Sequence, residues 1–461
     1  MNLKMQIIPP PQNTSCCPNV FLKYDIKNLV NTSSMTKFNL INFKNKNFMF
    51  TNRREFLASG MSLGIYSLIR PGLKSFGDTR IPVKEFEKVI QQPVLDKSLF
   101  ASPVLIESVE LLKSGELCLV HTTAKNGADG VALASSRAAY LYPIFRQLVA
   151  PFFIDKDARD IESLIEGVYA YQSNYKMSSL ALWCCAAWLE FSILDMLGKI
   201  AGKPVGDILG GRMRTEISLY KASGRRNTIP EEEVSLLEQS IAESGVKAVK
   251  FKIGGRMSNN KDSLPGRSEG LIRLARKELG DAMIIYADAN GSYDSIEAVR
   301  IGRILEEIDA DVFEEPCPFD HLEETKKTAD VLDIPVSGGE QESSMRRFRW
   351  MIANDALQMV QPDLHYFGGF IRCTKVARMA ELAGLPVTVH VTGASGFIDM
   401  LHFASYIPNI GPFQELKGNI RLVGPLYGLS PAVTDGRLKI PAGNGWGLLA
   451  AGDLLKDAEG L

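Results

Sequence analysis

The sequence lacks the cysteine and histidine patterns from which disulfide-rich folds and zinc sites are built. Its seven cysteines form no Cys-x-x-Cys pair and no disulfide-like spacing, and its five histidines are scattered over 461 residues. Cys184 and Cys185 are adjacent in an apolar segment and are interpreted as core residues. We therefore expect neither a disulfide framework nor a zinc site.

An excess of charge of one sign is also missing. The 52 basic and 53 acidic side chains leave a formal net charge of −1, without the basic footprint of a nucleic-acid-binding protein. The apolar stretch at residues 57–69 is too short to form a good transmembrane helix. We expect no nucleic-acid partner and no stable membrane domain.

Residues 1–79 differ in composition from the rest and are predicted to be a targeting or disordered segment. Residues 1–48 hold nine asparagines and six lysines but one acid. The Arg-Arg-x-Phe-Leu wording at Arg53, followed by an apolar stretch, predicts a twin-arginine export signal at about residues 49–75. A start at Met49 would give a normal basic N-terminus, so we expect residues 1–48 to be absent from the natural product. A periplasmic or exported location is predicted, with a cytoplasmic one as the alternative.

From about residue 216 onward, eight short apolar runs alternate with amphipathic stretches. The first run is Ile217–Tyr220, the last two are Pro386–Val389 and Pro412–Phe413, and Tyr293–Ile308 is typical of the stretches between them. Short buried strands alternating with helices indicate a parallel sheet, and eight such units favour a closed barrel. We predict an α/β fold whose catalytic domain, residues 216–424, is a modified (β/α)8 TIM-type barrel.

Ionisable residues occur at the ends of successive predicted strands. Two lysines lie on the second run, and the third to eighth runs end at regular intervals in Asp288, Glu314, Glu340, Asp363, His390 and Glu415. Because active sites of such barrels lie at the C-terminal ends of the strands, we expect these side chains to converge there. One such residue alone is more often a helix cap, but this much charge at one end is costly unless it serves a metal and a reaction.

The carboxylates of Asp288, Glu314 and Glu340 come from three adjacent predicted strands. Three converging carboxylates suit a hard octahedral ion such as Mg²⁺, and no cysteine or histidine among them favours zinc. The sequence therefore predicts a magnesium site.

Two candidate bases flank this predicted metal site. Lys250 and Lys252 lie two apart on one strand and so point to the same side, where two ammonium groups near a divalent cation would lower each other's pKa. His390 can be oriented by Asp363 from the neighbouring strand. A base is thus expected on each side of whatever binds the metal.

Four segments together resemble the template of the enolase superfamily, which uses a Lys or His base with Mg²⁺. They are Lys250-Phe251-Lys252, Asp288-Ala289-Asn290, Glu314-Glu315-Pro316 and Gly338-Gly339-Glu340. The Asp363/His390 pair is similar to the dyad of the mandelate racemase subgroup. His365 and Tyr366 stand near the position where the muconate-lactonizing subgroup would carry a lysine.

The resemblance also implies an α+β capping domain. Ala181–Lys199 resembles its last helix and Val433–Pro441 resembles the C-terminal return strand, so the cap is predicted over residues 80–215, completed by 425–461. Because the cap of this family covers the mouth with specificity loops, His121 is a candidate substrate-binding residue. Lys221 at the end of the first strand and Asn290 are further candidates, and a homo-oligomer is expected.

The resemblance implies a role for each strand-end residue. Lys252 would be one acid/base with Lys250 as its electrostatic partner, and His390, oriented by Asp363, would be the other. Glu415, if protonated, would donate a hydrogen bond that steadies the intermediate. The carboxylates of Asp288, Glu314 and Glu340 would bind magnesium, with the neighbouring Glu315 and Glu342 as alternatives in register.

The implied reaction removes the α-proton of a small hydroxy-carboxylic acid through an enediolate. The leading prediction is a hydro-lyase that dehydrates an acid sugar to a 2-keto-3-deoxy acid. A racemase or epimerase of a 2-hydroxy acid is the alternative within the same chemistry. A non-catalytic acid-sugar-binding protein on the same fold is the alternative from another class.

Overall fold

Parallel strands and helices alternate through the middle of the chain, as the apolar pattern predicts. The computed structural model describes residues 81–393, 395–417, 420–429 and 433–461, and the predicted targeting segment at residues 1–79 lies outside them. Two sheets contain the strands. They are β1 Ile106–Ser114, β2 Leu117–Ala124, β3 Asp129–Ala134, β4 Glu216–Ala222, β5 Ala248–Lys252, β6 Ile284–Asp288, β7 Val312–Glu314, β8 Val336–Gly338, β9 Met359–Val360, β10 Gln414–Leu416, β11 Arg437–Lys439 and β12 Glu459–Gly460.

The α-helices of the described residues are numbered α1 to α15. They are α1 Val83–Ile90, α2 Ala138–Ile144, α3 Ala150–Phe153, α4 Ile161–Ala170, α5 Leu180–Ala201, α6 Val205–Ile208, α7 Pro230–Ser244, α8 Arg267–Leu279, α9 Ser295–Glu307, α10 Leu322–Val331, α11 Met345–Ala353, α12 Phe370–Leu382, α13 Ser395–Tyr406, α14 Ile420–Val423 and α15 Ala451–Lys456. A π-helix covers Phe145–Val149, and short 3-10 helices cover Lys97–Leu99, Ala158–Asp160, Tyr171–Met177 and Gly424–Tyr427.

The larger sheet is the predicted barrel. Its parallel strands follow the order β10-β4-β5-β6-β7-β8-β9, so the eighth strand pairs with the first. The predicted seventh strand is reduced to isolated bridges, in which Val387 pairs with both Val360 and Ile410 and His390 pairs with Asp363. The eighth strand begins at Gln414 rather than at the predicted Pro412. The (β/α)8 architecture is confirmed, with the seventh position held by bridges.

Successive side chains of the barrel strands point alternately to the surrounding helices and to the barrel interior. Every residue of β5 and β6 is buried. Val249, Phe251, Ile285 and Ala287 belong to a hydrophobic cluster that includes residues of the surrounding helices, whereas Ala248, Ile284 and Tyr286 belong to a separate cluster with Tyr220. Because side chains alternate along a strand, Lys250 and Lys252 share the side of Ala248 and point to the barrel interior.

The smaller, four-stranded sheet has the antiparallel order β12-β1-β2-β3. The C-terminal tail contributes to both sheets, because β12 pairs with β1 and β11 pairs antiparallel with β4 of the barrel. The division into a cap (80–215 with 425–461) and a barrel (216–424) stays a prediction, with the tail shared between the two sheets.

Helix α5 joins the two sheets. Of the described residues it alone is long and apolar enough to cross a membrane, but 89% of that window is buried inside the protein, as in a core helix. Phe191 packs edge-on against Phe370 of α12, and the Glu190 carboxylate accepts hydrogen bonds from the first two backbone N–H groups of that helix. Gly369, at φ +100, precedes them, and a Cβ there would meet the Glu190 carboxylate. Glycine is therefore required at this close approach.

Candidate active site

Three buried carboxylates converge at the C-terminal end of the barrel. Asp288 and Glu314 are the last residues of β6 and β7, and Glu340 follows β8 by two residues. Each offers an oxygen within 4.8 Å of the other two. Asp288 Oδ1 accepts from the backbone N–H of Asn290 at 2.8 Å, and Glu314 Oε2 accepts from Gln361 Nε2 at 2.7 Å.

The donor set of this cluster fits a magnesium ion. In an octahedral Mg²⁺ site, with ligands at about 2.1 Å, neighbouring ligand oxygens lie about 3 Å apart and opposite ones about 4.2 Å apart. Glu340 Oε2 is buried without a hydrogen-bond donor, although such atoms usually have one. Burial and the nearby Asp288 raise the pKa of Glu314 to about 8. A divalent cation would reduce the repulsion between these carboxylates and would contact the oxygen that lacks a donor. Asp288, Glu314 and Glu340 would therefore hold the ion.

The two lysines of β5 lie against this cluster. Lys250 Nζ donates to Glu314 Oε1 at 2.7 Å and lies 3.1 Å from Glu415 Oε1, while Lys252 Nζ pairs with Asp288. Burial opposes the charge of Lys250, but Glu314 and Glu415 outweigh it and raise the pKa of its ammonium group well above the usual value. The prediction that two ammonium groups near a divalent cation lower each other's pKa concerns the protein with magnesium bound, and it stays a prediction.

His390 lies on the opposite side of the carboxylate cluster. Its Nδ1 is 2.6 Å from Asp363 Oδ2, and its Nε2 is 3.4 Å from Glu340 Oε2. The Asp363 Oδ1 atom accepts from the backbone N–H groups of His365 and Tyr366, both at 2.8 Å, which holds the carboxylate in place. Asp363 therefore assigns the proton to Nδ1 and leaves Nε2 as the working nitrogen. The expected dyad geometry is present.

Glu415 lies between a backbone N–H group and Lys250. Its Oε2 atom accepts from the backbone N–H of Val391 at 2.9 Å, and Lys250 lies beside the other oxygen. Burial would raise its pKa, but Lys250 and Lys417 outweigh burial and hold the pKa of Glu415 well below the usual range. The two lysines therefore favour the ionised form of Glu415, and its role as a hydrogen-bond donor, which requires protonation, stays a prediction.

Of the three predicted substrate-binding residues, the structure brings only Asn290 to the site. Asn290 Nδ2 donates to Glu340 Oε1 at 3.2 Å, from a left-handed backbone conformation of φ 43°. Lys221 follows Tyr220, whose ring faces Lys250, so Lys221 points to the other side of β4, where its charge interacts with Glu243 of α7. The prediction for Lys221 is wrong because one step along a strand reverses the side chain.

His121 also lies away from the site. It is on β2, where its ring nitrogens are 3.2 Å from Asp129 Oδ2 and 3.8 Å from Glu110 Oε2. Its neighbour Thr122 is the residue that faces α5, through a hydrogen bond to Ser192 at 2.6 Å. His121 is therefore on the outer face of the four-stranded sheet, and the prediction that it binds substrate is wrong.

Their contacts distinguish Glu315 and Glu342, the two alternative magnesium ligands, from the clustered carboxylates. Glu342 accepts from the backbone N–H groups of Ser343 and Ser344 and pairs with Arg347 at 2.7 Å, so it holds the turn before α11 rather than joining the cluster. Glu315 is buried beside the cluster, and burial together with Glu340 raises its pKa well above the usual value. The structure groups Glu314 and Glu340, not Glu315 and Glu342, with Asp288.

Three residues of the site were not predicted from the sequence: Gln361, Arg226 and Lys417. Gln361 donates to the Glu314 carboxylate, and Arg226 Nη2 donates to Asn290 Oδ1 at 2.6 Å. Lys417 Nζ donates to His390 Nε2 at 3.0 Å. Lys417 stands two residues after Glu415, a spacing that could have indicated a second side chain at the mouth, as it did for the two lysines of β5.

A cavity of about 540 Å³ adjoins His390 between the four-stranded sheet and the barrel. Its lining includes Arg137 from the loop after β3 and, from the barrel, Tyr366, Thr392 and Lys417. Arg137 Nη2 donates to the Tyr366 hydroxyl at 2.7 Å. We call this space the distal cavity, because none of the three clustered carboxylates is among its lining residues.

Comparison with known proteins decides the family. The model of the family described as "Enolase C-terminal domain-like" matches residues 232–452. The crystal structure of a candidate racemase from Roseobacter denitrificans superposes with a TM-score of 0.71 at 30% sequence identity, covering 77% of this chain and 98% of that one. The chain belongs to the enolase superfamily. The predicted membership in its mandelate racemase subgroup is confirmed.

Other members of the superfamily share the fold or the sequence. A mandelate racemase/muconate lactonizing protein from Paracoccus denitrificans, complexed with magnesium, has a TM-score of 0.70 at 24% identity and covers 78% of this chain and 99% of its own. The arabinonate dehydratase of Saccharolobus solfataricus is 26% identical over 69% of this chain and 83% of its own length. The L-talarate/galactarate dehydratase of Salmonella typhimurium is 25% identical over 72% and 79%.

Proposed function

We propose that this enolase-superfamily enzyme is a magnesium-dependent dehydratase that converts an acid sugar to a 2-keto-3-deoxy acid. One observation carries the proposal: proton-transfer groups stand on both sides of the carboxylate cluster. Lys252 contacts Asp288 on one side, and His390 Nε2 lies 3.4 Å from Glu340 on the other. A substrate carboxylate held at the cluster would have its α-carbon between these two groups.

The residues of the chain account for both proton transfers of a dehydration. One of Lys252 and His390 takes the proton from the α-carbon, and the other gives a proton to the β-hydroxyl as it leaves. The net change is loss of one water, and the resulting enol becomes the 2-keto-3-deoxy acid. Asp363 holds the His390 ring, and Lys250 provides fixed positive charge beside the carboxylates. Both roles rest on contacts that are in place before substrate binds.

Magnesium bound to Asp288, Glu314 and Glu340 would supply positive charge to the substrate carboxylate as the α-proton leaves. The loss of an α-proton places negative charge on that carboxylate, so this is where charge stabilisation is worth most. A bound cation would weaken the attraction of these carboxylates for the ammonium group of Lys250. The magnesium complex of the similar protein from Paracoccus denitrificans supports this part of the proposal.

The named activities of the relatives support an acid sugar as substrate. Arabinonate dehydratase, L-talarate/galactarate dehydratase and D-xylonate dehydratase are all similar to this chain at 23 to 26% identity. A small-molecule carboxylate is therefore the expected ligand. Racemisation of a 2-hydroxy acid is the second candidate, because groups on both sides of the α-carbon permit removal of a proton from one face and return to the other.

Screening acid sugars in D₂O with Mg²⁺ tests the proposal. The full chain is incubated with each acid, and products are followed by NMR and by a 2-keto-acid assay. Keto-acid formation is the expected result. Deuterium at the α-carbon without keto acid would overturn dehydration in favour of racemisation or epimerisation. Binding of an acid with neither signal would overturn both in favour of a non-catalytic binding protein.

We also propose that the protein is exported through a twin-arginine-type signal. The Arg53-Arg54 pair followed by an apolar stretch supports this, and the segment lies outside the described residues. Fractionation of the source cells with an antibody to the protein is the test. Protein found wholly in the cytoplasm would contradict export.

A further inference from the structure

The distal cavity extends the site away from the metal-binding carboxylates. His390 and Thr392 form its inner wall, and Arg137 reaches it from the four-stranded sheet. A substrate with its carboxylate at the cluster and its α-carbon beside His390 would carry the rest of its chain into this space. The groups that line the distal cavity therefore meet the far end of the substrate.

Among the described residues, two cations face this far end without a carboxylate in direct contact, although Lys417 lies near enough to Glu415 to lower the pKa of that carboxyl group. Arg137 and Lys417 are both partly buried, and among the described residues no carboxylate forms an ion pair with either one. Arg137 donates to the hydroxyl groups of Tyr366 and Tyr140, which orient its guanidinium but bring no charge. Glu116 is the acidic residue of the lining, and it is exposed. Partly buried positive charge without an anion in direct contact is costly, and an anionic ligand group would reduce that cost.

The position of Lys417 leads to the same conclusion. Its described hydrogen-bond partner is His390 Nε2, at 3.0 Å, the nitrogen that must exchange a proton with the substrate. The ammonium group has to leave that nitrogen for His390 to work, because Nε2 cannot accept from Lys417 and from the substrate at once. An anion in the distal cavity would give Lys417 a new partner at that moment.

We propose that the preferred substrate carries a second anionic group at its far end, which Arg137 and Lys417 bind. The inference rests on the proposed function and narrows it from acid sugars in general to doubly anionic ones. An aldaric acid has a second carboxylate there, and a phosphorylated aldonic acid has a phosphate. Both would suit a guanidinium with an ammonium group nearby, and Arg137 is the residue that determines specificity.

Matched pairs of acids test this inference on the full chain with Mg²⁺. Galactarate is compared with galactonate and glucarate with gluconate, since each pair differs only in the terminal group, and 6-phosphogluconate tests phosphate. The dianions are expected to exceed the matched monoanions by roughly 10- to 150-fold in kcat/KM, the range of a charged hydrogen bond. Equal or better use of the monoanions would overturn the inference and leave dehydration standing.

Variants identify the residue responsible. Arg137→Gln should remove most of the preference, mainly through KM for the dianion, and Arg137→Lys should keep part of it. Lys84→Gln, which removes an exposed charge on α1 outside the cavity, is the matched control and should change neither class. An unchanged preference in Arg137→Gln would overturn the assignment.

Binding separates the two hypotheses if turnover fails. Titration calorimetry with Mg²⁺ and each matched pair measures the preference without any reaction. Tighter binding of dianions without keto acid would support recognition while refuting dehydration. Equal binding of both classes would overturn the inference whatever the turnover.

Discussion

Two clusters of buried charge in this protein follow opposite rules. At the barrel mouth, Asp288, Glu314 and Glu340 crowd together, and Glu340 keeps a buried oxygen without a donor. At the contact between α5 and the barrel, His365 Nδ1 accepts from Trp188 Nε1 at 3.0 Å, and its Nε2 lies 2.9 Å from Asp399. At the mouth the three carboxylates are crowded together even though Lys250 and Lys252 pair with two of them, whereas each polar group at the contact has a matched partner. Crowded carboxylates are typical of a ligand-binding site, and matched buried partners are typical of a structural contact.

Substitutions at the barrel mouth should reduce catalytic activity, and this is the largest expected difference between the two clusters. Lys252→Ala should reduce kcat for the acid sugar by about 10²- to 10⁴-fold, the usual contribution of a general acid or base. The fold should remain, because crowding at the mouth does not depend on one ammonium group. Steady-state kinetics and circular dichroism check this. Lys221→Ala, at the end of the neighbouring strand but facing α7, is the matched control and should keep its activity; equal losses in both would refute the assignment.

Metal binding should distinguish two nearby glutamates. Glu340→Gln removes one charge from the carboxylate cluster and should weaken Mg²⁺ binding by roughly 10- to 100-fold or more, on the scale seen for groups that support metal ligands. Glu342→Gln removes a charge two residues away that pairs with Arg347 outside the cluster, and it should leave Mg²⁺ affinity unchanged. Titration calorimetry measures both. Weakened binding in Glu342→Gln alone would move the ligand to that residue.

The contact between α5 and the barrel should make the stability of the protein depend on pH, through Glu190. Burial raises the pKa of Glu190 to about 8, although the N–H groups of Ile371 and Phe370 lower it. A carboxyl group that is more easily protonated in the folded state stabilises the protein below its unfolded pKa, and this stability is lost as pH rises towards 8. The free energy of unfolding should fall across pH 4.5 to 8 by on the order of a few kcal/mol.

Glu190→Gln should flatten this dependence, since glutamine keeps the acceptor oxygen for the backbone of α12 and cannot ionise. Urea unfolding at several pH values measures the slope for the variant and the parent. A slope that is the same in both would show that Glu190 does not titrate in this range. Activity at a fixed pH where both are folded should be equal, because Glu190 lies outside the mouth.

Much of the site was predictable because barrel geometry turns sequence spacing into position. One βα unit separates each strand-end residue from the next, so Asp288, Glu314 and Glu340 had to meet once the strands formed a parallel barrel. Alternation along β5 likewise required Lys250 and Lys252 to share a side. The prediction for Lys221 ignored this alternation. Tyr220 faces the barrel interior, so the next residue, Lys221, points to the opposite side of β4.

The residues that spacing could not predict come from loops and from the other sheet. The sequence did not show which face of its strand His121 occupies. The pairing of β2 with β3 places His121 beside Asp129 on the outer face of the four-stranded sheet. Arg137 is far from the barrel in sequence, yet its guanidinium bonds to Tyr366. The packing of α5 against β2, β3 and α12 brings the two parts of the chain together, and no local sequence pattern encodes such contacts.

The sequence by itself determined the barrel, its family and the order of charged residues around the mouth. These follow from local rules, because the period of the apolar residues and the length of a βα unit need no knowledge of distant contacts. Only the tertiary structure decided the contact of Lys250 with Glu415, the contact of Lys417 with His390 and the cations that line the distal cavity. Those features depend on distances between segments that are remote in the chain, and electrostatic interactions depend on distance and burial rather than on sequence separation.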